Sequence, residues 1–298
     1  MLDKFLTTDA RLQAAIIAAV VTVLTLLIGT PIKHILEKKM IKHKLNLEYE
    51  YEQKKKLHDL IGEYHGRLLD SSVHLSYRIF NLYENKSKGW LSTGPSTSFY
   101  YFSSTIYRFI HLLALIRMFE SKAIYIDSRI ATKKDFNFIK FLKAINWTCI
   151  DVKLYEGLQY NNLANPTDHF FNDELKILCD DMIKDNELMS FEEFQKVIKK
   201  KNNKYTPVLT FFLDLDDSKL RWDRVVCLHL FLMAFINTFG YDMQKSKKQH
   251  FERALSEVKN VVILKNLDGW FPKLGLDNQK DIKIIKRILR QKGYLGTN

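Results

Sequence analysis

LQAAIIAAVVTVLTLLIGTPI, residues 12–32, decides how the rest of the chain is read. These 21 residues carry no charge and lie between Arg11 and Lys33. A helix rises about 1.5 Å per residue, so the run spans roughly 30 Å, the thickness of a bilayer's hydrocarbon core. Pro31 falls at the far end, where a helix stops at little cost. A cleaved secretory signal would need a basic start, a shorter apolar run and a small-residue cleavage site. Here Lys4 and Arg11 are balanced by Asp3 and Asp9, and the lysines come after the run. The reading is an uncleaved transmembrane helix over 12–32.

Orientation follows from the flanks. Lys33, Lys38, Lys39, Lys42 and Lys44 crowd the C-terminal side and only Glu37 opposes them. Lysine-rich flanks stay in the cytoplasm. Residues 1–11 are therefore expected outside the cytoplasm as a short N-terminus. A basic juxtamembrane helix or linker over 33–59 and a helical cytosolic domain over 60–298 follow. The expected location is a bacterial inner membrane, crossed once.

The span has two faces. Ala15, Ala18, Thr22, Thr25 and Gly29 recur at alternating steps of three and four and share one stripe. Ile16, Val20, Val23, Leu24 and Leu27 lie largely on the other side. Small residues let helix backbones approach in lipid, and threonine hydroxyls can bond across helices. The stripe is expected to mediate self-association and to line a pore in an open state. The competing reading is a span whose small residues carry no special role.

Beyond the span, the chain of 298 residues has 46% hydrophobic and 27% charged residues, enough for a packed core and too apolar for disorder. Eleven glycines and five prolines are too few for a turn-rich β fold. Three scattered cysteines, Cys149, Cys179 and Cys227, exclude a zinc ribbon and a disulfide scaffold. The fold class is mainly α. Leu60, Tyr64, Leu68, Val73, Leu75, Ile79 and Leu82 follow a helical period, and the polar GWLSTGPSTS breaks it. Thr132 with Asp135, and Ser190 with Glu193, form capping-box starts. Asn161–Pro166 reads as a loop, and Gly240 as a helix end. Residues 225–241 carry no charge but are too short for a second span, so a buried helix is expected there. VVIL at 261–264 suggests a short strand, with turns over 266–278 and a last helix after them.

The net charge of +12 comes from two segments. Residues 33–58 hold eight lysines against four glutamates, which topology explains. Residues 245–298 hold thirteen Lys/Arg against five Asp/Glu. Their end, DIKIIKRILRQK, sets Ile282, Ile285 and Leu289 near one face and Lys286, Arg287 and Arg290 largely around the others. Such a helix binds anionic lipid, binds nucleic-acid phosphates, or packs with a solvated basic face. A second surface joins Trp90, Tyr100 and Tyr101 to Arg108, Arg117 and Lys122. Rings beside cations can stack unpaired bases while the cations hold the backbone. The plainer alternative is that these rings fill the core.

No Walker loop, HExxH or GxSxG is present. Asp214, Asp216 and Asp217 follow an apolar run, but no strand–helix alternation supports a metal site. Asp217 or Ser218 is expected to cap the next helix. His58, His65 and His74 are spaced wrongly for a helical metal pair. No cofactor, no metal and no enzymatic activity are expected.

RIFNLYENKSKGWL at 78–91 and YYFSSTIYRFIHLLALIRMFES at 100–121, with the span and its lysine collar, resemble the small bacterial membrane effectors of anti-phage operons, nearest those of the Hailong system. The resemblance implies a homotetramer whose partner nucleotidyltransferase makes a short single-stranded DNA oligomer. That oligomer would hold the effector shut, and its loss would open an ion channel. Two other readings remain open: a membrane-tethered scaffold without a pore, and a membrane-bound enzyme using Asp214 and Asp216.

Overall fold

The computed structural model describes residues 9–92, 96–163, 166–200 and 203–295. Most of the expected outer segment, residues 1–8, lies outside the described residues, as do parts of the 89–98 break and of the 161–166 loop. Of the described residues 76% are helical, so the fold class is mainly α. It divides into two units, Met1–Lys56 and Leu57–Asn298.

Helix α1, Ala10–Glu84, contributes to both units. In the first unit it contains the apolar run, whose large apolar side chains are exposed, and it is long and apolar enough to cross a membrane. The helix does not stop at Pro31 but continues through it. Proline removes the bond to the carbonyl of Leu27. The apolar run before it and the well-propagating Lys/Glu/Leu sequence after it keep the helix going across that single gap. Lys33–Glu37 and Lys44–Glu48 pairs, four residues apart, add to this second stretch.

The second unit packs around helix α7, Leu220–Phe239. This helix is long and apolar enough to span, but 83% of its apolar window is buried, so the uncharged run that begins at Val225 is a core helix, as expected. Helices α3, Lys133–Ile150, and α8, Lys248–Glu257, lie against it. In this unit α1 buries Leu60, Tyr64, Leu68, Leu75, Ile79 and Leu82, the face its periodicity marks; Val73 is half-buried. Helix α2, Ser96–Ala123, packs on α4, Asn172–Asp181, α5, Phe191–Ile198, and α6, Thr206–Phe212. Both capping boxes form, at Thr132/Asp135 and Ser190/Glu193. A two-residue hairpin pairs β1, Ile183–Lys184, with β2, Glu187–Leu188, through Asp185 and Asn186 at φ 50° and 64°.

Three local expectations change. VVIL is not a strand but opens helix α9, Val261–Lys273, which also absorbs Gly269 and Pro272 from the expected turns. The Asn260 side chain accepts from the Val262 N–H, and Ile263, Leu264, Leu267, Trp270 and Phe271 recur on one buried face. Helix α7 is capped by neither Asp217 nor Ser218: its N-cap is Lys219, without a side-chain cap. Asp217 instead pairs with Lys86 and Lys259, and Ser218 donates to Asp216. Gly240 does end α7, but in extended backbone at φ −87°, ψ 172°, not the left-handed cap. Its constraint is space, since a Cβ would lie 2.6 Å from the Ile236 carbonyl oxygen and 3.1 Å from Leu69 Cδ1.

Candidate ligand cleft and membrane face

The α1 and α2 helices of the second unit run antiparallel and are joined by three polar contacts in sequence. The Ser71 hydroxyl meets His111 Nδ1 at 3.1 Å. Arg108 donates to the His74 carbonyl at 3.3 Å, and Arg78 Nη2 donates to the Ser104 hydroxyl at 3.0 Å. Ser71, His74 and Arg78 advance along one stripe of α1 as His111, Arg108 and Ser104 recede along α2. Between the helices opens a cavity of about 230 Å³, with Tyr100, Tyr107 and Phe191 supplying its aromatic wall.

The cleft is electropositive. Burial, then Arg108, lowers the Arg78 guanidinium from its ordinary pKa. Burial and Arg67 push His111 down to about 4 against the pull of Asp70, so its ring is neutral at pH 7. The cavity's carboxylate, Asp70, is paired with His74 at 3.5 Å.

The sequence-marked residues separate into several places. Tyr100 and Arg108 line the cleft. Tyr101 stacks flat on Trp90, with centroids 4.0 Å apart, and Arg78 lies 5.0 Å over the Tyr101 ring. Trp90 lines a second cavity of about 220 Å³ with Lys86, Asp214, Asp216 and Trp222. Arg117 pairs with Asp180 on α4 at 3.0 Å, and Lys122 pairs with Glu63 at 2.7 Å, toward the other end of α2. Lys286, Arg287 and Arg290 sit on helix α10, Lys280–Gln291, which buries Ile282, Ile285, Ile288 and Leu289 against the domain. Lys286 approaches Asp268 at 3.5 Å, while Arg287 and Arg290 are exposed. The apolar face of this helix is packed, and its basic face is open to a ligand or to solvent.

Asp70, Ser71, Ser104 and His111 also line the cleft and are passed over by the sequence reading, as is Arg78, which lies behind Ser104. Arg78 carries a signal: a charge three residues after Leu75 and four before Leu82, inside the buried stripe.

On the first unit, Ala15, Ala18, Thr22, Thr25 and Gly29 are all exposed on α1. The Thr22 hydroxyl donates to the Ala18 carbonyl at 2.7 Å and Thr25 to Val21 at 2.8 Å. Both donors are thus spent within the helix, which leaves acceptor lone pairs and a low profile for a neighbouring helix.

The three cysteines are buried, and burial raises every thiol, Cys149 to about 12. Asp216 accepts from the Ser218 hydroxyl and N–H, which lower its pKa. Among the described residues no group of His, Cys, Asp and Glu is placed to hold a metal ion. Comparison with family models, with curated protein sequences and with solved structures finds no match to this chain.

Proposed function

We propose that the chain is a membrane effector of anti-phage defence, anchored once in a bacterial inner membrane with the helical domain in the cytoplasm. The observation that carries this reading is the exposed apolar run of α1, followed by its collar of lysines. Burying the fifteen alanine, valine, isoleucine and leucine side chains of residues 12–32 in water-free surroundings is strongly favourable. The small-residue stripe supports self-association, and the electropositive α1–α2 cleft supports an anionic ligand such as a nucleotide or short oligonucleotide. A ligand bound there biases a closed assembly only through unequal affinity for the closed and open states, and its release lets the spans rearrange into an ion-conducting pore.

Conductance of liposomes carrying the full chain, with and without added oligonucleotide, tests this. The reading expects ion flux without ligand and its suppression with ligand; vesicles impermeable under every condition would defeat it. A second reading, a tethered scaffold without a pore, is favoured by the internal bonding of the Thr22 and Thr25 hydroxyls. Replacing residues 12–32 by a generic leucine-rich span preserves function in the scaffold and abolishes it in the channel.

A further inference from the structure

Three arginines are buried among the described residues; Arg221 pairs with Asp168 and donates to the Phe211 and Leu213 carbonyls, and the other two are treated very differently. Arg224 is 2% exposed, and its donors reach the carbonyls of Thr148, Asp151 and Asp168 and the Tyr155 hydroxyl. Two of those carbonyls close the C-terminal end of α3, where a cation is favoured. Arg78 is 4% exposed, and its Nε and Nη1 have no hydrogen-bond partner. Its Nη2 donates to Ser104, which is a neutral hydroxyl. Neither Arg78 nor Arg108 makes an ion pair among the described residues. One neutral hydroxyl and the Tyr101 ring 5.0 Å away are weaker compensation than a buried cation needs, so this position is costly with the protein chain alone.

The surroundings say what would offset that cost. Asp70, His74 and Arg78 recur every four residues on one stripe of α1, and the first two line the 230 Å³ cavity. Arg78 is the next step of that stripe and is tied to Ser104, itself in the cavity wall. Arg108 lines the same cavity and donates to a backbone carbonyl. The charged groups around it are Arg67 and Asp70 from α1, with Asp70 turned to His74, and Glu193 from α5, which is held in its capping box. The balance is cationic on both helix faces. The cavity is smaller than the roughly 300 Å³ of a drug-sized site, so it takes one compact group. The Arg108 guanidinium alone, with one of its five N–H groups on the His74 carbonyl, offers more donors than the two oxygens of a carboxylate accept, and Arg78 behind Ser104 adds a second positive charge. These donors match the three or four oxygens of a phosphate, for which arginine geometry is well suited.

We propose that the cleft between α1 and α2 is a phosphate-binding site in which Arg108 contacts the anion, Arg78 adds positive charge from behind Ser104, and Tyr100 and Phe191 flank whatever the phosphate carries. This sharpens the ligand half of the proposed function and is independent of pore formation. Free phosphate and the terminal phosphate of a nucleotide share this chemistry.

The full chain in nanodiscs is titrated with inorganic phosphate, with a deoxynucleoside 5′-monophosphate and with the bare deoxynucleoside, following the melting temperature and the heat of binding. A saturable upward shift with either phosphate form, and none with the nucleoside, is expected. A response to phosphate alone marks the free anion as the ligand, and a stronger response to the nucleotide marks a phosphorylated one. Arg108→Gln should weaken that binding about tenfold or more. Arg78→Met should weaken it too while leaving the unliganded melting temperature equal or higher, since it removes an unpaired buried charge. No response to either phosphate form, an equal response to the nucleoside, or an unchanged affinity in Arg108→Gln would overturn the site; Arg108→Gln decides the matter even where Arg78→Met fails to fold. Impermeable liposomes beside an intact phosphate response would remove the gating reading and leave the site standing.

Discussion

Trp90 lies flat on Tyr101, with centroids 4.0 Å apart and planes 4° from parallel. The contact closes the polar break after α1 onto α2, and Lys88 sits 5.6 Å over the indole. Aromatic residues beside cations read from the sequence as a platform for bases. In the folded chain the Trp90 and Tyr101 rings serve each other first, and a base could reach this face of Tyr101 only by displacing Trp90.

Trp90→Ala is therefore expected to act on stability. Loss of the stack and of the half-buried indole should cost about 1–3 kcal/mol. Denaturant unfolding measures it; a variant as stable as the parent would show that the stack contributes nothing and that the ring is held for another purpose.

Acid should weaken the domain through His229. Its Nε2 meets the Ser76 hydroxyl at 3.0 Å and its Nδ1 the Tyr83 hydroxyl at 3.1 Å. Burial, then His250, lowers its pKa from 6.5 to about 3. Between these values the unfolded chain takes up a proton that the native ring refuses. The stabilisation is complete above pH 6.5 and is lost as pH falls toward 3. Asp223, pushed up to about 6 by burial, acts in the opposite sense: its contribution is present below the usual carboxylate range and fades as pH rises to 6. Comparison with His229→Gln isolates the histidine. At pH 7.5 the parent should be the more stable, and the gap should narrow by on the order of 1 kcal/mol per unit below pH 6.5. Parallel stability curves for the two proteins would refute the assignment.

Two glycines in helical contexts should respond oppositely to alanine. At Gly240 the backbone suits any residue, but a Cβ would strike the Ile236 carbonyl and crowd Leu69. Gly240→Ala should cost about 1–3 kcal/mol. At Gly269, inside α9, a Cβ meets nothing within 4 Å. Gly269→Ala should raise stability by up to about 1 kcal/mol through helix propensity. Melting temperatures of the pair check this, and a stabilised Gly240→Ala would mean that the α7 terminus relaxes freely.

These cases show which features a sequence displays. Periodicity marked the buried face of α1 because one side of a long helix must repeat every turn. The capping boxes at Thr132 and Ser190 were legible because both partners lie within four residues. VVIL misled because a short apolar run of β-branched residues has no period long enough to tell helix from strand; the Asn260 cap and the packing of Trp270 and Phe271 settle it, and the latter is tertiary. The cleft was half visible. Tyr100 and Arg108 were marked by type, whereas Arg78 matters because Ser104 and Arg108 come to it from another helix. Arg117 and Lys122, marked by the same pattern, are occupied by Asp180 and Glu63.

The first unit supports a last prediction. A helix that exposes Ala18, Thr22, Thr25 and Gly29 in lipid gains by approaching a second copy closely, since lipid gives no hydrophobic drive for association. The Thr22 and Thr25 donors are already bonded to Ala18 and Val21, so side-chain bonds between spans would rest on acceptors, and close backbone packing should dominate. Gly29 has open space at its Cβ, with only Thr25 Cγ2 at 3.9 Å, so leucine fits within one helix and obstructs only a neighbour. Thr22→Leu with Gly29→Leu should therefore leave membrane insertion and folding of the helical domain unchanged while lowering the oligomer order. Crosslinking ladders in native membranes read the second effect, and carbonate extraction reads the first. A ladder identical to the parent's would place self-association elsewhere, whereas the opposite-face pair Val20→Ala with Leu27→Ala should leave it intact.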